Sequence, residues 1–569
     1  RVLKKIIKIS CYLLVFIFLL LTIPAVQSYL GNRAMAWLNS EYNVDIEVER
    51  LSVSLTGMIG LDGVLIRDHH RDTLIAAQEI RTPILDIRQL INGNLYFSTI
   101  EADGLYLDMK TYKGDTLSNL DIFIARFDSG APASQEPFIM KANEINLREA
   151  RFRVWDEDTT GDPTLTYIDH LSTRISDFSI YDSEVTMEMK TGSLRLDKHL
   201  QIEELSTYFH YNDSLIALDK VLLKTPYSQV DADISFHAYK ESYADFLNKV
   251  TLEATFRESH IGTEDINGFY NGFGQGKLID IEGEGKGTLN NLSISNINLY
   301  TENTAIEAEE ILLRNAFDKG KDFVFWGNFP HFASVYSDLA GLMPEVLGKQ
   351  LPEELRDFGF FEGVAELTYT TRDLLIDADV FTQKGDFILS GSLYNISHPK
   401  EATYEGSLET YHLQLGKLLR ISDMKELSAG IKFSGKGIDY SQLNNSNELS
   451  LTTTIHSVEY RDYLYQDIEL KANYAHRKLK ANAQIADKHL NMHFEGAIDL
   501  LSSKKQQYSL TGEMNHVDLK ALGFIKKDSI AQVRGNIDLN IKGNTLDDME
   551  GRIVLKNASY KKNIDTYNF

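Results

Sequence analysis

Leu490-Asn-Met-His-Phe-Glu-Gly-Ala-Ile-Asp-Leu500 decides the fold of this chain. Leu490, Met492, Phe494, Gly496, Ile498 and Leu500 occupy one parity, and Asn491, His493, Glu495, Ala497 and Asp499 the other. Successive side chains of an extended chain point to opposite faces, so this stretch is a strand with an apolar face and a largely polar one. A helix would place its apolar residues three and four apart instead. The same period recurs in Leu374/Ile376/Ala378/Val380, in Phe387/Leu389/Leu393 and in Ile537/Leu539/Ile541. Turn sequences such as Asn92-Gly93, Lys384-Gly385-Asp386 and Lys542-Gly543-Asn544 separate such runs. Helical spacing is confined to Tyr29–Glu41 (Leu30, Ala34, Trp37, Leu38), Tyr243–Val250, Phe332–Phe358 in one or two pieces, and Gly416–Leu427. These helices are too few to cover the apolar face of a long sheet. The fold class is therefore mainly β, a long, repetitive, antiparallel-rich sheet with few short helices.

An internal repeat supports a quasi-linear build. The segment from Tyr404 to Leu419 lies over that from Tyr508 to Gly523, with Tyr404 on Tyr508, His412 on His516 and Leu415 on Leu519. After a two-residue insertion Ile431, Phe433 and Gly437 fall on Ile537, Leu539 and Gly543. One unit is roughly 105 residues, clearest over 404–560. Ile281–Leu289 is a weaker echo of its strand-glycine ending. About forty strands at the usual spacing of about 4.8 Å would make a sheet on the order of 190 Å long.

Residues 9–26 form an apolar run with Leu13, Leu14, Val15, Phe16, Ile17, Phe18, Leu19, Leu20 and Leu21 at its centre. That is long enough to span a bilayer as one transmembrane helix. Arg1, Lys4, Lys5 and Lys8 put residues 1–8 in the cytoplasm by the positive-inside rule, and everything after Ser28 across the inner membrane, in the periplasm. A cleaved signal peptide is the other reading of such a segment, although Ala25-Val26-Gln27-Ser28 is a poor cleavage site. Cys11, the sole cysteine, lies inside the run, which excludes an internal disulfide framework and a cysteine-based zinc cluster. Residues 28–128 read as an N-terminal β module with a leading amphipathic helix, 129–137 as a linker and 138–569 as the repetitive sheet. The chain begins at Arg1 rather than Met and stops within a strand-like pattern, as part of a longer protein would.

Among 569 residues, 58 Lys and Arg against 82 Asp and Glu leave a net charge of −24. Coating a nucleic acid needs clustered excess cation, so that partner class is excluded. Motifs for chemistry fail. Gly272-Phe-Gly-Gln-Gly-Lys277 has Asn271 and Leu278 where a phosphate loop needs Gly and Ser or Thr. Asp68-His-His-Arg-Asp72, between Ile66 and Leu74, reads as a solvated hairpin turn rather than a metal site. There is no G-x-S-x-G or H-E-x-x-H. Trp37 fits an interfacial belt near a membrane. The expectation is a non-enzyme with no catalytic, cofactor or metal residues.

Tyr42-Asn-Val-Asp-Ile-Glu-Val-Glu-Arg-Leu-Ser-Val53, Leu61–Ile75, Leu90–Tyr96 and Ile100–Leu107 together resemble the N-terminal module of the AsmA-like superfamily. With the apolar run, Ala150–Asp158 and the pattern from Gly535 to Tyr560, the chain is similar to the TamB-type translocation and assembly module subunits of diderm bacteria. The family's C-terminal domain is not evident. The resemblance implies an inner-membrane-anchored sheet rolled into an elongated open groove (β-taco-like), whose lining carries phospholipid acyl chains through the periplasm. It implies an outer-membrane β-barrel partner of the TamA or BamA type. Leaving a sixteen-carbon chain in water costs on the order of 12 kcal/mol, a barrier that an apolar trough removes. The candidate lining residues are Leu374, Ile376, Val380, Phe387, Leu389, Leu393, Leu490, Met492, Phe494, Ile498, Ile537, Leu539 and Ile541. Two other functions stay open: an assembly factor whose sheet edge templates outer-membrane strands, and a periplasmic scaffold of closed β-sandwiches, whose cores show the same alternation.

Overall fold

The computed structural model describes residues 23–54, 58–83, 95–126, 139–157, 164–197, 200–238, 245–268, 271–318, 320–344, 347–351, 353–438, 447–500, 506–525, 527, 529–543 and 550–569. The central part of the apolar run, the 129–137 segment and the Asn92-Gly93 turn lie outside them. The chain divides into two compact units, Arg1–Thr288 and Leu289–Phe569. Both are mainly β and antiparallel-rich. The described residues hold thirty strands, fewer than the forty expected. No described helix is long and apolar enough to cross a membrane.

The first unit opens with the helix Pro24–Tyr42, which takes in Pro24, Ala25 and Val26 from the end of the expected span. Proline suits the first turn, and Asn43 ends the helix in the left-handed region (φ 51°). Asn39 docks the helix by exchanging hydrogen bonds with the Ile46 backbone, Nδ2 donating to the carbonyl (3.0 Å) and Oδ1 accepting from the amide (2.9 Å). Asp45–Val53, Met58–Arg67 and Thr73–Pro83 form an antiparallel meander. Thr73–Pro83 also pairs with Leu95–Asp103 and with Tyr106–Thr111. These last two run parallel to Ile139–Asp156, an exception to the expected antiparallel pattern. From there the ladder is antiparallel as far as Leu278–Thr288. This unit has conventional cores, one around Ala150, Leu171, Leu194 and Ile202, another around Ala142, Ile145 and Ile175.

The Asp68–Asp72 segment is the hairpin turn expected, with His70, Arg71 and Asp72 exposed, but its first residue is sealed. Asp68 is 5% exposed, and its carboxylate accepts from the Tyr112 hydroxyl, the Asn119 amide and two turn amides. The residues that bury it come from 44 and 51 positions away.

The second unit is a meander of sixteen strands, Asn291–Tyr300 to Asp565–Asn568. Each strand pairs antiparallel with its sequence neighbours. Its helices are shorter than their spacing predicts. Phe332–Val335 belongs to the strand Val324–Val335, and helix begins only at Tyr336–Leu342, followed by Leu347–Gln350 and a 3₁₀ turn at Glu353–Phe358. Gly416–Leu427 contains one helical turn, Leu415–Leu418, before the strand Met424–Lys436 begins. In the first unit, Tyr243–Val250 likewise reduces to Phe246–Lys249 in the described residues. These elbows are one or two turns long, too short to stand as independent helices.

Candidate apolar face of the second unit

Register converts the alternation of single strands into a surface. Cross-strand partners carry side chains on the same face, so a chain of partners traces one rank across the sheet. One rank runs Leu292, Leu313, Phe325, Tyr369, Leu374, Leu393, Tyr404, Gly435, Leu449, Tyr474, Leu479, Ile498, Tyr508, Ile541, Gly551. The next, two residues along each strand, runs Ile294, Ile311, Gly327, Leu367, Ile376, Gly391, Gly406, Phe433, Leu451, Ala472, Ala481, Gly496, Leu510, Leu539, Ile553. A third begins at Phe329 and passes through Leu389, Ile431, Thr453, Phe494 and Ile537 to Leu555. A fourth includes Val380, Phe387, Thr410, Ile455, Ile468, Ile485, Met492 and Met514. None of the four carries a charged residue. The rank between the first two, on the opposite face, includes Glu405, Ser434, Ser450, Asn473, Lys480, Ser509, Asn540 and Arg552.

All thirteen candidate lining residues fall on the apolar face. Leu374, Leu393, Ile498 and Ile541 lie in the first rank, Ile376 and Leu539 in the second. Leu389, Phe494 and Ile537 lie in the third, and Val380, Phe387 and Met492 in the fourth. Leu490 follows Met492, opposite Val517. Each is half-buried, neither sealed nor fully exposed. In the first three ranks only Gly327, Ala378, Thr453, Tyr474 and Ala483 are buried. Other buried apolar residues of this unit lie at or near the elbows, as with Leu342, Leu413, Leu427 and Leu522. Between Leu479, Ile498, Tyr508, Leu510, Leu539 and Ile541 the face holds an apolar hollow of about 320 Å³.

Glycines in the ranks let neighbouring rings lie flat. A Cβ at Gly406 would stand 2.7 Å from Phe433 Cζ, and one at Gly435 would meet the Tyr404 hydroxyl, which donates to the Glu448 carbonyl (3.3 Å). Thr453 is the anomaly of its rank, since its Oγ1 is buried with no hydrogen-bond partner among the described residues. Thr410, by contrast, bonds backbone groups of Leu427 and Ala429. The polar face carries ion pairs, among them Lys425 with Glu459 (2.6 Å) and Asp462 (3.0 Å), and Lys478 with Asp499 (3.1 Å). Hydrogen bonding to Glu459 and then Asp462 raises the Lys425 ammonium above its ordinary value.

The repeat is visible in the same geometry. Tyr404 and Tyr508 share the first rank, Phe433 and Leu539 the second, Ile431 and Ile537 the third. Gly437 N–H donates to Ala402 O (2.8 Å) as Gly543 N–H donates to Gln506 O (3.0 Å). Sequence reasoning passed over the rank glycines and the upstream members such as Leu292 and Phe325; a glycine recurring at an apolar parity was the available signal. No family model, no curated protein and no solved structure matches the chain.

Proposed function

We propose that the second unit carries phospholipid acyl chains on its apolar face, with headgroups left in water. In this reading the chain is an inner-membrane-anchored, periplasmic conduit toward the outer membrane, as the resemblance to TamB-type subunits implies, with the face rolled into a groove. The observation that carries it is a set of uncharged ranks, two of them fifteen strands long, whose large side chains stay half-exposed. A closed sandwich would bury those same positions in its core. Four ranks two residues apart span about 20 Å, comparable with the roughly 15 Å depth of one leaflet. Such a face accepts an extended acyl chain along the strands.

A photo-crosslinker at Phe494, compared with one at Glu495 on the opposite face, tests this in cells. Lipid captured at Phe494 and not at Glu495 is the expected result; equal capture, or none, sinks the conduit. An assembly factor whose sheet edge templates outer-membrane strands is the second reading. Crosslinks to unfolded outer-membrane proteins, without lipid at Phe494, would select it.

A further inference from the structure

The buried Asp68 carboxylate holds its turn rigidly. Its Oδ1 accepts from the His70 (2.8 Å) and Asp72 (3.0 Å) amides, and its Oδ2 from the Tyr112 hydroxyl (2.6 Å) and the Asn119 side-chain amide (3.0 Å). That frame sets both histidines against the segment following Tyr106–Thr111. His70 stacks on the Tyr112 ring at 3.9 Å, and His69 meets it edge-on at 5.4 Å. Asp115, 46 residues from His69, brings its Oδ2 to 3.3 Å from His69 Nε2. One donor atom from each of His69, His70 and Asp115 lies within 4.8 Å of the other two.

We propose that His69, His70 and Asp115 bind a divalent transition-metal ion of the zinc type, which clasps the Asp68–Asp72 turn to the loop carrying Asp115. Two imidazoles and a carboxylate are a zinc donor set, and three protein donors leave a fourth position for water. Bonds of about 2.0–2.1 Å in a tetrahedron put donors about 3.3–3.4 Å apart. The His69–Asp115 pair already has that separation. His70, the exposed member, keeps a donor within 4.8 Å of both. The His69 side chain is 19% exposed, its Nδ1 is buried with no hydrogen-bond partner among the described residues, and Nε2 is the ring nitrogen that faces the carboxylate. Asp68, Asp72 and Glu157 stand nearby, and the Lys110 ammonium is held by Glu157 (2.9 Å) and Asp72 (3.6 Å) over the Tyr112 and Trp155 rings, while Arg71 and Lys113 lie in the same two loops. Bridging residues so distant in sequence, the ion would contribute folding free energy to the first unit.

The test titrates the chelator-treated full chain with Co²⁺, read by the visible absorption of tetrahedral cobalt, and then with Zn²⁺ as competitor. Saturable absorption that Zn²⁺ abolishes, together with a metal-dependent rise in thermal midpoint, is expected. His70→Ala, chosen because the side chain is exposed, and Asp115→Asn should each weaken binding beyond the roughly 10–100-fold that outer-shell changes cause. His398→Ala, an exposed histidine of the second unit, should leave it unchanged. No absorption, or equal affinity in His70→Ala, overturns the site.

Discussion

Thr453 and Gly435 constrain the apolar face in opposite senses. A buried hydroxyl without a partner costs the desolvation of its polar atom, and valine has nearly the same shape. Thr453→Val should therefore stabilise the second unit by about 1 kcal/mol, seen as a raised urea midpoint at unchanged slope. At Gly435 an added Cβ would enter the space of the Tyr404 hydroxyl and the Glu448 carbonyl, whereas at Gly391 the nearest atoms are 3.8 and 3.9 Å away. Gly435→Ala should cost about 1–3 kcal/mol, and Gly391→Ala should be neutral or slightly stabilising. Equal effects at the two sites would refute the close-packed ring arrangement. None of this is legible from composition. A glycine at an apolar parity reads as a weak strand position until register shows which ring lies across it.

Among elements, the strands were legible and the elbows were not. Period two survives in a single sequence because one face is apolar along the whole strand. The leucines of 415–419 and the apolar residues of 332–342 satisfy helical spacing equally well over one turn, and only the ladder decides that the chain is extended up to Val335 and again from Met424. Hairpins also carry the charge. In the first unit, Arg257 on Thr251–Gly262 reaches Asp231 Oδ1 (2.7 Å) and Asp233 Oδ2 (2.5 Å) on the neighbouring strand Gln229–His237. The Arg257 hydrogen bond, aided by the Lys220 amide and opposed by partial burial, holds the Asp233 carboxyl below its ordinary value. A depressed native pKa gives stability that is present above the unfolded value of about 3.9 and is lost as pH falls through the native one. Asp233→Asn should accordingly lower the first unit's denaturant midpoint at pH 7, with the gap closing below about pH 3.9. A gap that persists in acid would mean the aspartate acts by packing alone.

For the whole molecule, the two units invite separate fates. The first has cores sealed by long aliphatic side chains, whereas the second has an open face and pairs only neighbour to neighbour, so its stability is close to a sum over adjacent hairpins. Chains retaining only Trp155 or only Trp326 should report different urea midpoints, the Trp326 transition being the broader. Coincident transitions would show one cooperative block. The charge of −24 is spread over polar faces such as that of Glu405, Glu495 and Asp538, which keeps the apolar ranks soluble. The apolar face was foreseeable because alternation is local. The His69–Asp115 approach was not, because it depends on where a loop 46 residues later returns.

Since each strand of the second unit leans only on the one before and the one after, nothing in its ladder counts how many there are. Two adjacent strands can be inserted or removed, and the chain still re-enters from the same end with its apolar side chains on the same face. A single strand cannot, because it delivers the chain to the opposite end. Reach is thus an adjustable dimension with a built-in graduation of about 9–10 Å, two strand spacings. A lineage could lengthen or shorten it without redesigning a single contact surface.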